Sequence, residues 1–289
     1  MTAFPPKVGI VVLNFNGRDC LLSCLEALHR LRYQNFFVVV VDNASEDDSL
    51  VSAQERFPEF FFVRSPQNGG FAAGMNIGMK VAFEQRGAAW TWLLNNDARV
   101  EEQTLTMLMA AAAQSPRAGL LSPCIYAEKT ETLWFGKGRL DWLRMRAVHV
   151  SPSEEELRKQ CFASEFLTGC ALLVRKELVE TAGFLDEHFF LYYEDADFSL
   201  RAKENGFETL VVPRARVFHG EQSQKNDDKL YFLVFSGLLF FKKHARWWQK
   251  AHFSVYGTMR RIKNVFDVAR GRDGALTVRR AYNDFYHGC

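Results

Sequence analysis

Three carboxylates crowd into Glu194-Asp195-Ala196-Asp197, directly after the apolar aromatic run FFLYY. Clustered acids repel one another, and an apolar wall raises a carboxyl pKa, which suits a general base. The competing reading is a helix start whose negative charges complement the dipole. That accounts for one or two of the acids but not for their company with FFLYY. Asn95-Asn96-Asp97 is a second polar cluster, and its carboxylate could hold Mg²⁺ or Mn²⁺ against a diphosphate, since hard cations take oxygen ligands. Its plainer role is a cap for a helix starting near Val100. One carboxylate makes a weak site, and His219 in VFHGEQS is a candidate second ligand, although a lone histidine is more often structural. The loop Asn68-Gly69-Gly70 could bring backbone N–H groups and a helix N-terminus towards an anion. Gly74 and Gly78 read instead as close helix packing. Asp42 is balanced between accepting a hydrogen bond from a base or ribose and ordering the turn Asp42-Asn43-Ala44-Ser45.

These residues need elements to hold them. Residues 8–13, 36–41, 60–63 and 90–94 are apolar runs, expected as strands buried on both faces of a mainly parallel sheet. Helices are expected between them, with Leu21, Leu25, Leu28 and Leu31 at helical spacing in the first. Each strand stops at a polar or glycine-rich turn, and ligands of open α/β sheets bind at those carboxyl ends. A helix is expected over 101–114, and residues 125–165, with Trp134 and Trp142, read as an irregular excursion. Regular structure resumes with strands at 171–175 and 209–212. From Asp227 the chain reads as helices rich in aromatic and basic residues, with the seam between Pro213 and Asp227. The division expected is a catalytic domain over 1–226 and a helical tail over 227–289.

The chain has 289 residues, and its net charge of +2 hides an asymmetry. Residues 229–289 hold 12 Lys+Arg against 3 Asp, while residues 1–228 hold 24 Lys+Arg against 31 Asp+Glu. A basic tail on an acidic body is expected to meet something anionic. The segment KLYFLVFSGLLFFKKHARWWQK could lie in a bilayer interface, or cap the domain, or form a homodimer. No nucleic-acid motif accompanies it. Its longest apolar run, residues 230–241, is short of the roughly 20 residues a span needs. The six cysteines include no CxxC pair, and the first residues resemble no signal peptide, so a reduced cytoplasmic setting is expected, at most peripheral to the inner face of a membrane. No GxGxxG follows a strand and no GxxxxGK[ST] occurs, which removes the usual dinucleotide and triphosphate loops.

Taken in order, VVLNFNG, VVDNASED, NGGFAAGMNIG, LLNNDA, TGCALLVRKE, GFLDEHFFLYYEDADFSLRAKENGF and VFHG resemble the family 2 inverting glycosyltransferases of GT-A fold, especially their rhamnosyltransferase-like branch. The resemblance covers residues 8 to about 220. It implies an α/β fold that holds a nucleotide-sugar, with Asn14, Asn16, Asp42, Asn68, Gly70, Phe71, Asn76, Asn95 and Asn96 around the donor. Asp97 matches the last carboxylate of the family's DXD metal motif and His219 its late metal-binding histidine. Asn95 stands where many relatives have the first Asp, a form common in this branch. Asp195 matches the catalytic base, with Glu194 its neighbour towards the acceptor and Asp197 structural. The implied reaction moves a sugar, rhamnose from dTDP-rhamnose or else a UDP-linked sugar, to a glycan or polyprenyl-diphosphate-linked acceptor. A catalytically silent nucleotide-sugar-binding protein is the alternative from another class.

Overall fold

A computed structural model describes residues 5–220 and 227–288. The first half alternates β1 (Val8–Asn14), α1 (Arg18–His29), β2 (Phe36–Asp42), α2 (Ser49–Arg56), β3 (Phe61–Arg64), α3 (Gly70–Lys80) and β4 (Trp90–Asn95). Strands run parallel in the order β3-β2-β1-β4, with Asn14 in register with Asp42. Val8, Ile10, Val11, Val12 and Val38 to Val41 are buried, as unbroken apolar runs require of strands covered on both faces. Each such side chain contributes about 1.5–3 kcal/mol on leaving water. Helix α3 lies close on this sheet because a Cβ at Gly74 or Gly78 would meet Leu13 or Val11 at 2.4 or 2.2 Å.

The second half departs from the βα rhythm. It comprises β5 (Ala98–Val100), α4 (Thr104–Gln114), β6 (Ala118–Ala127), β7 (Leu133–Phe135), β8 (Lys137–Asp141), β9 (Arg146–Val150), α5 (Glu154–Arg158), β10 (Phe162–Ala163), β11 (Ala171–Arg175), α6 (Lys176–Ala182), α7 (Glu194–Glu204) and β12 (Glu208–His219). Antiparallel β11 joins β4 to β6, and β12 runs parallel to β6, extending the sheet to ten strands.

Three expectations are corrected here. Residues 125–165 are ordered, with β8 and β9 forming a hairpin. Asp97 caps no helix, because β5 intervenes and α4 begins only at Thr104. The strand expected over 209–212 runs on to His219, since the pairing with β6 skips from Val212 to Arg216 and leaves Pro213 outside the ladder. The rest of the expected seam runs through residues 221–226, outside the described residues, as is Cys289.

Helices α8 (Asp227–His244), α9 (Trp247–Ala269) and α10 (Ala275–His287) follow. Tyr231, Leu238, Phe240 and Phe241 of α8 are buried. Ser236 Oγ donates to Leu191 O at 2.8 Å, and the Phe240 ring sits 5.3 Å from that of Tyr193. Much of the apolar run 230–241 therefore faces protein. Among the described residues no helix is long and apolar enough to cross a membrane.

Candidate active site

The carboxyl ends of β1, β2 and β4 converge on one hydrogen-bonded knot. Asn14, fully buried, donates from Nδ2 to Ser49 Oγ at 2.7 Å and Ser45 Oγ at 3.2 Å, with Asp42 Oδ1 at 3.4 Å. Its Oδ1 accepts from Asn96 Nδ2 at 2.9 Å. Asp42, also buried, accepts from Ser45 N at 3.2 Å, and Arg64 Nε lies 3.5 Å away, so the turn-ordering role is the one seen. Asn16 takes a positive φ of 50° and accepts from Glu46 N at 2.7 Å.

The glycine loop is tied down in the same way. Gly69 N donates to Asn43 Oδ1 at 3.2 Å, Gly70 N to Asn68 Oδ1 at 3.0 Å and Phe71 N to Phe190 O at 2.7 Å. This corrects the anion reading, because these three N–H groups are already engaged. Gly70 has φ +82°, and a Cβ there would stand 2.2 Å from Phe190 O, so only glycine fits. Asn76 lies away from the cleft and bonds the Leu185 backbone at 2.9 and 3.1 Å and Glu187 Oε1 at 2.8 Å.

The acidic cluster opens α7. Tyr192 and Tyr193 precede it at φ 67° and 68°, left-handed conformations that cost non-glycine residues about 1–3 kcal/mol each. Tyr193 is held by Phe240 and by Ala147 N, which donates to its hydroxyl at 3.3 Å. The three acids have separate fates. Asp197 is fully buried and bonded to Arg201 Nε at 2.7 Å, Lys243 Nζ at 2.6 Å and His244 Nε2 at 2.8 Å. Burial works against its ionisation, but the hydrogen bonds from His244 and Lys243 and the Arg201 charge hold its carboxyl below the usual range. It ties α8 to α7. Asp195 accepts from Gly169 N at 2.9 Å and from Ala196 N at 2.7 Å. Burial raises its pKa, and the two N–H bonds pull the other way. Glu194 is buried, its Oε2 has no hydrogen-bond partner, and burial followed by the Asp195 charge pushes it well above the ordinary value. The two N–H bonds favour charge on Asp195, and Glu194, lacking a partner at Oε2, is the acid held more strongly in its protonated form.

Asp97 Oδ1 lies 3.1 Å from His219 Nε2. Asp97 Oδ1 and, on the other side of the ring, His219 Nδ1 are buried and make no well-aligned hydrogen bond. Burial lowers the His219 pKa, but Cys170 and Asp97 more than offset it, and the imidazole is pushed up to about 11. The imidazole would have to give up this proton to serve as a metal ligand. A carboxylate oxygen beside an imidazole is a donor pair that fits Mg²⁺ or, better, Mn²⁺. No set of three or more His, Cys, Asp or Glu suited to a metal occurs among the described residues.

Asp195, Glu194, Asp97 and His219 line one cleft of about 690 Å³, together with Asn16, Phe71, Asn95 and Asn96. Asn14, Asp42, Asn68, Gly70 and Asn76 support it from behind or beside. Several lining residues were not singled out as site residues from the sequence. Gly169 matters because a Cβ would press within 2.9 Å of the Phe71 ring. Its signal was the TGC motif before β11. Trp134 and His149 come from the excursion, the Trp134 ring lying 4.8 Å from His219 and 4.9 Å from His149. A tryptophan in a polar stretch was the available clue. Lys229 and Leu233 bring α8 to the same cleft.

Residues 9–183 match the profile of Glycosyl transferase family 2. An N-acetylglucosaminyl-diphospho-decaprenol L-rhamnosyltransferase of Mycobacterium tuberculosis is 25% identical, the match covering 88% of this chain and 94% of that one. A dTDP-rhamnosyl transferase of Shigella flexneri is 23% identical over 74% of this chain and 70% of its own. The solved structure of GalNAc-T7 with UDP, GalNAc and Mn²⁺ superposes with a TM-score of 0.68 at 18% identity, over 82% of this chain and 48% of that one. A mannosyltransferase from Pyrobaculum calidifontis in complex with GDP-Man and Mn²⁺ gives 0.62 at 14% identity, over 99% and 89%. The fold is GT-A, and the chain belongs to glycosyl transferase family 2, with rhamnosyltransferases among its relatives.

Proposed function

We propose that this family 2 glycosyltransferase moves rhamnose from dTDP-rhamnose to a hydroxyl of a polyprenyl-diphosphate-linked glycan, inverting the anomeric centre. The donor and acceptor classes are those named for the two rhamnosyltransferase relatives. The observation that carries the chemistry is the Asp195 carboxyl, fixed by two N–H groups, in the same cleft as Asp97 and His219. Asp195 takes the acceptor hydroxyl proton as its oxygen attacks the anomeric carbon. The bond from that carbon to the diphosphate oxygen breaks, and the electron pair leaves with the nucleoside diphosphate. Direct displacement needs no protein nucleophile. Asp97 and His219 would hold a divalent cation, Mg²⁺ or Mn²⁺, which supplies charge stabilisation to the leaving diphosphate. Phe71, Asn16, Asn95 and Asn96 face the donor, and Trp134 offers an apolar ring to a sugar.

The test is donor binding and turnover across dTDP- and UDP-sugars, with Mg²⁺, Mn²⁺ or EDTA. Metal-dependent turnover of dTDP-rhamnose is expected. Preference for a UDP-sugar would replace the donor assignment and leave the mechanism. Failure of the folded protein to bind any nucleotide-sugar would overturn the reading.

A further inference from the structure

Five of the exposed apolar side chains of α9 form one stripe, flanked by Trp247 and Val265. Trp248, Val255, Met259, Ile262 and Phe266 follow one another at spacings of seven, four, three and four, one face of a helix. Each is more than half exposed. The opposite face is the seated one, with Phe253, Gly257 and Asn264 buried. His252 fills the gap in the stripe, and its Nε2 lies 2.9 Å from Leu143 O at the tip of the β8–β9 hairpin. Leu143 is itself 70% exposed, so the apolar surface continues from helix to hairpin. With 23 residues, α9 offers a face about 34 Å long.

The charge around this stripe selects its occupant. Residues 246–288 carry nine Lys+Arg and three Asp. The one acid of α9, Asp267, is already paired with Lys263 and Arg272. Two copies meeting through this face would set cations against cations with no free acid on either helix to relieve them. An anionic lipid surface presents the opposite charge, and a Trp pair at the helix start suits the headgroup boundary. We infer that α9, with Leu143 of the hairpin, lies flat on an anionic bilayer, apolar stripe downward. The surface shares only the Trp247-Trp248 end of the segment KLYFLVFSGLLFFKKHARWWQK that the sequence suggested, whose apolar run 230–241 is largely buried in α8. The hairpin whose tip carries Leu143 also lends Ala147 and His149 to the cleft, so one element connects the lipid face to the reaction site. The purpose of this placement rests on a lipid-linked acceptor; the binding itself does not.

Flotation with vesicles of phosphatidylcholine, alone or mixed with phosphatidylglycerol, tests it on the full chain. Binding is expected only to the anionic vesicles and is expected to weaken with salt. Ile262→Glu with Phe266→Glu should lower the bound fraction about tenfold or more. The double variant should turn over a water-soluble acceptor normally while losing turnover of a vesicle-embedded one. Should that variant misfold, quenching of tryptophan emission by bromolipids in the unmodified protein, lost in Trp247→Phe with Trp248→Phe, reads the same contact. An unmodified protein that stays unbound to anionic vesicles overturns the inference. So does a dimer in light scattering that the double variant dissociates, which would make a second copy the occupant. Vesicle binding by a protein without nucleotide-sugar turnover would sink the proposed function and leave this surface standing.

Discussion

At the ends of β1, β2 and β4 the polar side chains are spent on one another. Asn14 serves three acceptors and one donor, Asp42 orders its own turn, and Asn43 and Asn68 occupy the glycine loop. Across the cleft the accounting is reversed. Glu194 Oε2, Asp97 Oδ1 and His219 Nδ1 are buried without hydrogen-bond partners, and two tyrosines before Glu194 hold left-handed backbone. A buried unpaired polar atom costs roughly 1–3 kcal/mol, and strain adds to that. The first wall thus gains stability from its polar groups, while the second gives stability up to keep bonding capacity for something that enters the cleft. Substitutions in the two walls should therefore fail differently.

The largest effect is expected from Asp195→Asn. Loss of a positioned base lowers turnover by about 10²–10⁴-fold, with donor affinity and melting temperature nearly unchanged. Single-turnover kinetics beside calorimetry would read both. A variant that melts early but keeps turning over would put Asp195 on the stabilising side and break the contrast. Asn14→Ala should do the opposite. Removing it strands Asn96, Ser45 and Ser49, and denaturant unfolding should show a loss of about 1–3 kcal/mol. A stable Asn14→Ala protein with abolished turnover would show that this wall too touches substrate.

The pH dependence sharpens the same contrast. Catalysis needs Asp195 ionised, and burial raises its pKa. The acid limb of kcat/KM should therefore fall as pH drops through a value above the ordinary carboxylate pKa of about 3.9. Asp197 has the reverse sign. Its folded pKa is depressed, so its contribution to stability is present above the unfolded value and is lost only as pH falls through the lower folded one. Activity should thus disappear at a pH where the tail anchor still holds, a gap measurable by rate and by near-ultraviolet dichroism.

The saturated wall was the legible one. Strands β1, β2 and β4 are covered on both faces, so their residues are unbroken apolar runs and the turns after them stand out. The motif order from VVLNFNG to VFHG carried the rest of the fold. What Asn76 does was not legible, because its partners at Leu185 and Glu187 lie 109 and 111 residues away. Strands β7 to β9 were hidden for another reason. They span three to five residues and are largely half-buried, too short for an alternation to emerge. The fates of Glu194, Asp195 and Asp197 could not be separated by composition either. Their difference lies in which N–H groups and cations reach each, and those come from β11, α7 and α8.

Glu194→Gln carries the smallest expected effect and tests the unsatisfied wall most directly. Burial and the Asp195 charge raise the Glu194 pKa, so the folded state keeps a proton that the unfolded chain releases. Stability must then decline as pH rises from the ordinary value of about 4.3 towards the raised one. Glutamine has the same shape and no proton to lose. The variant should melt higher than the parent at neutral pH, converge with it in acid, and show a shallower pH slope, the remainder belonging to Asp195. Turnover should fall less than about tenfold, since an amide copies a neutral carboxyl as a hydrogen-bond donor. A fall as deep as that of Asp195→Asn, with no gain in stability, would mean that Glu194 works as an anion. The roles of the two acids would then have to be exchanged.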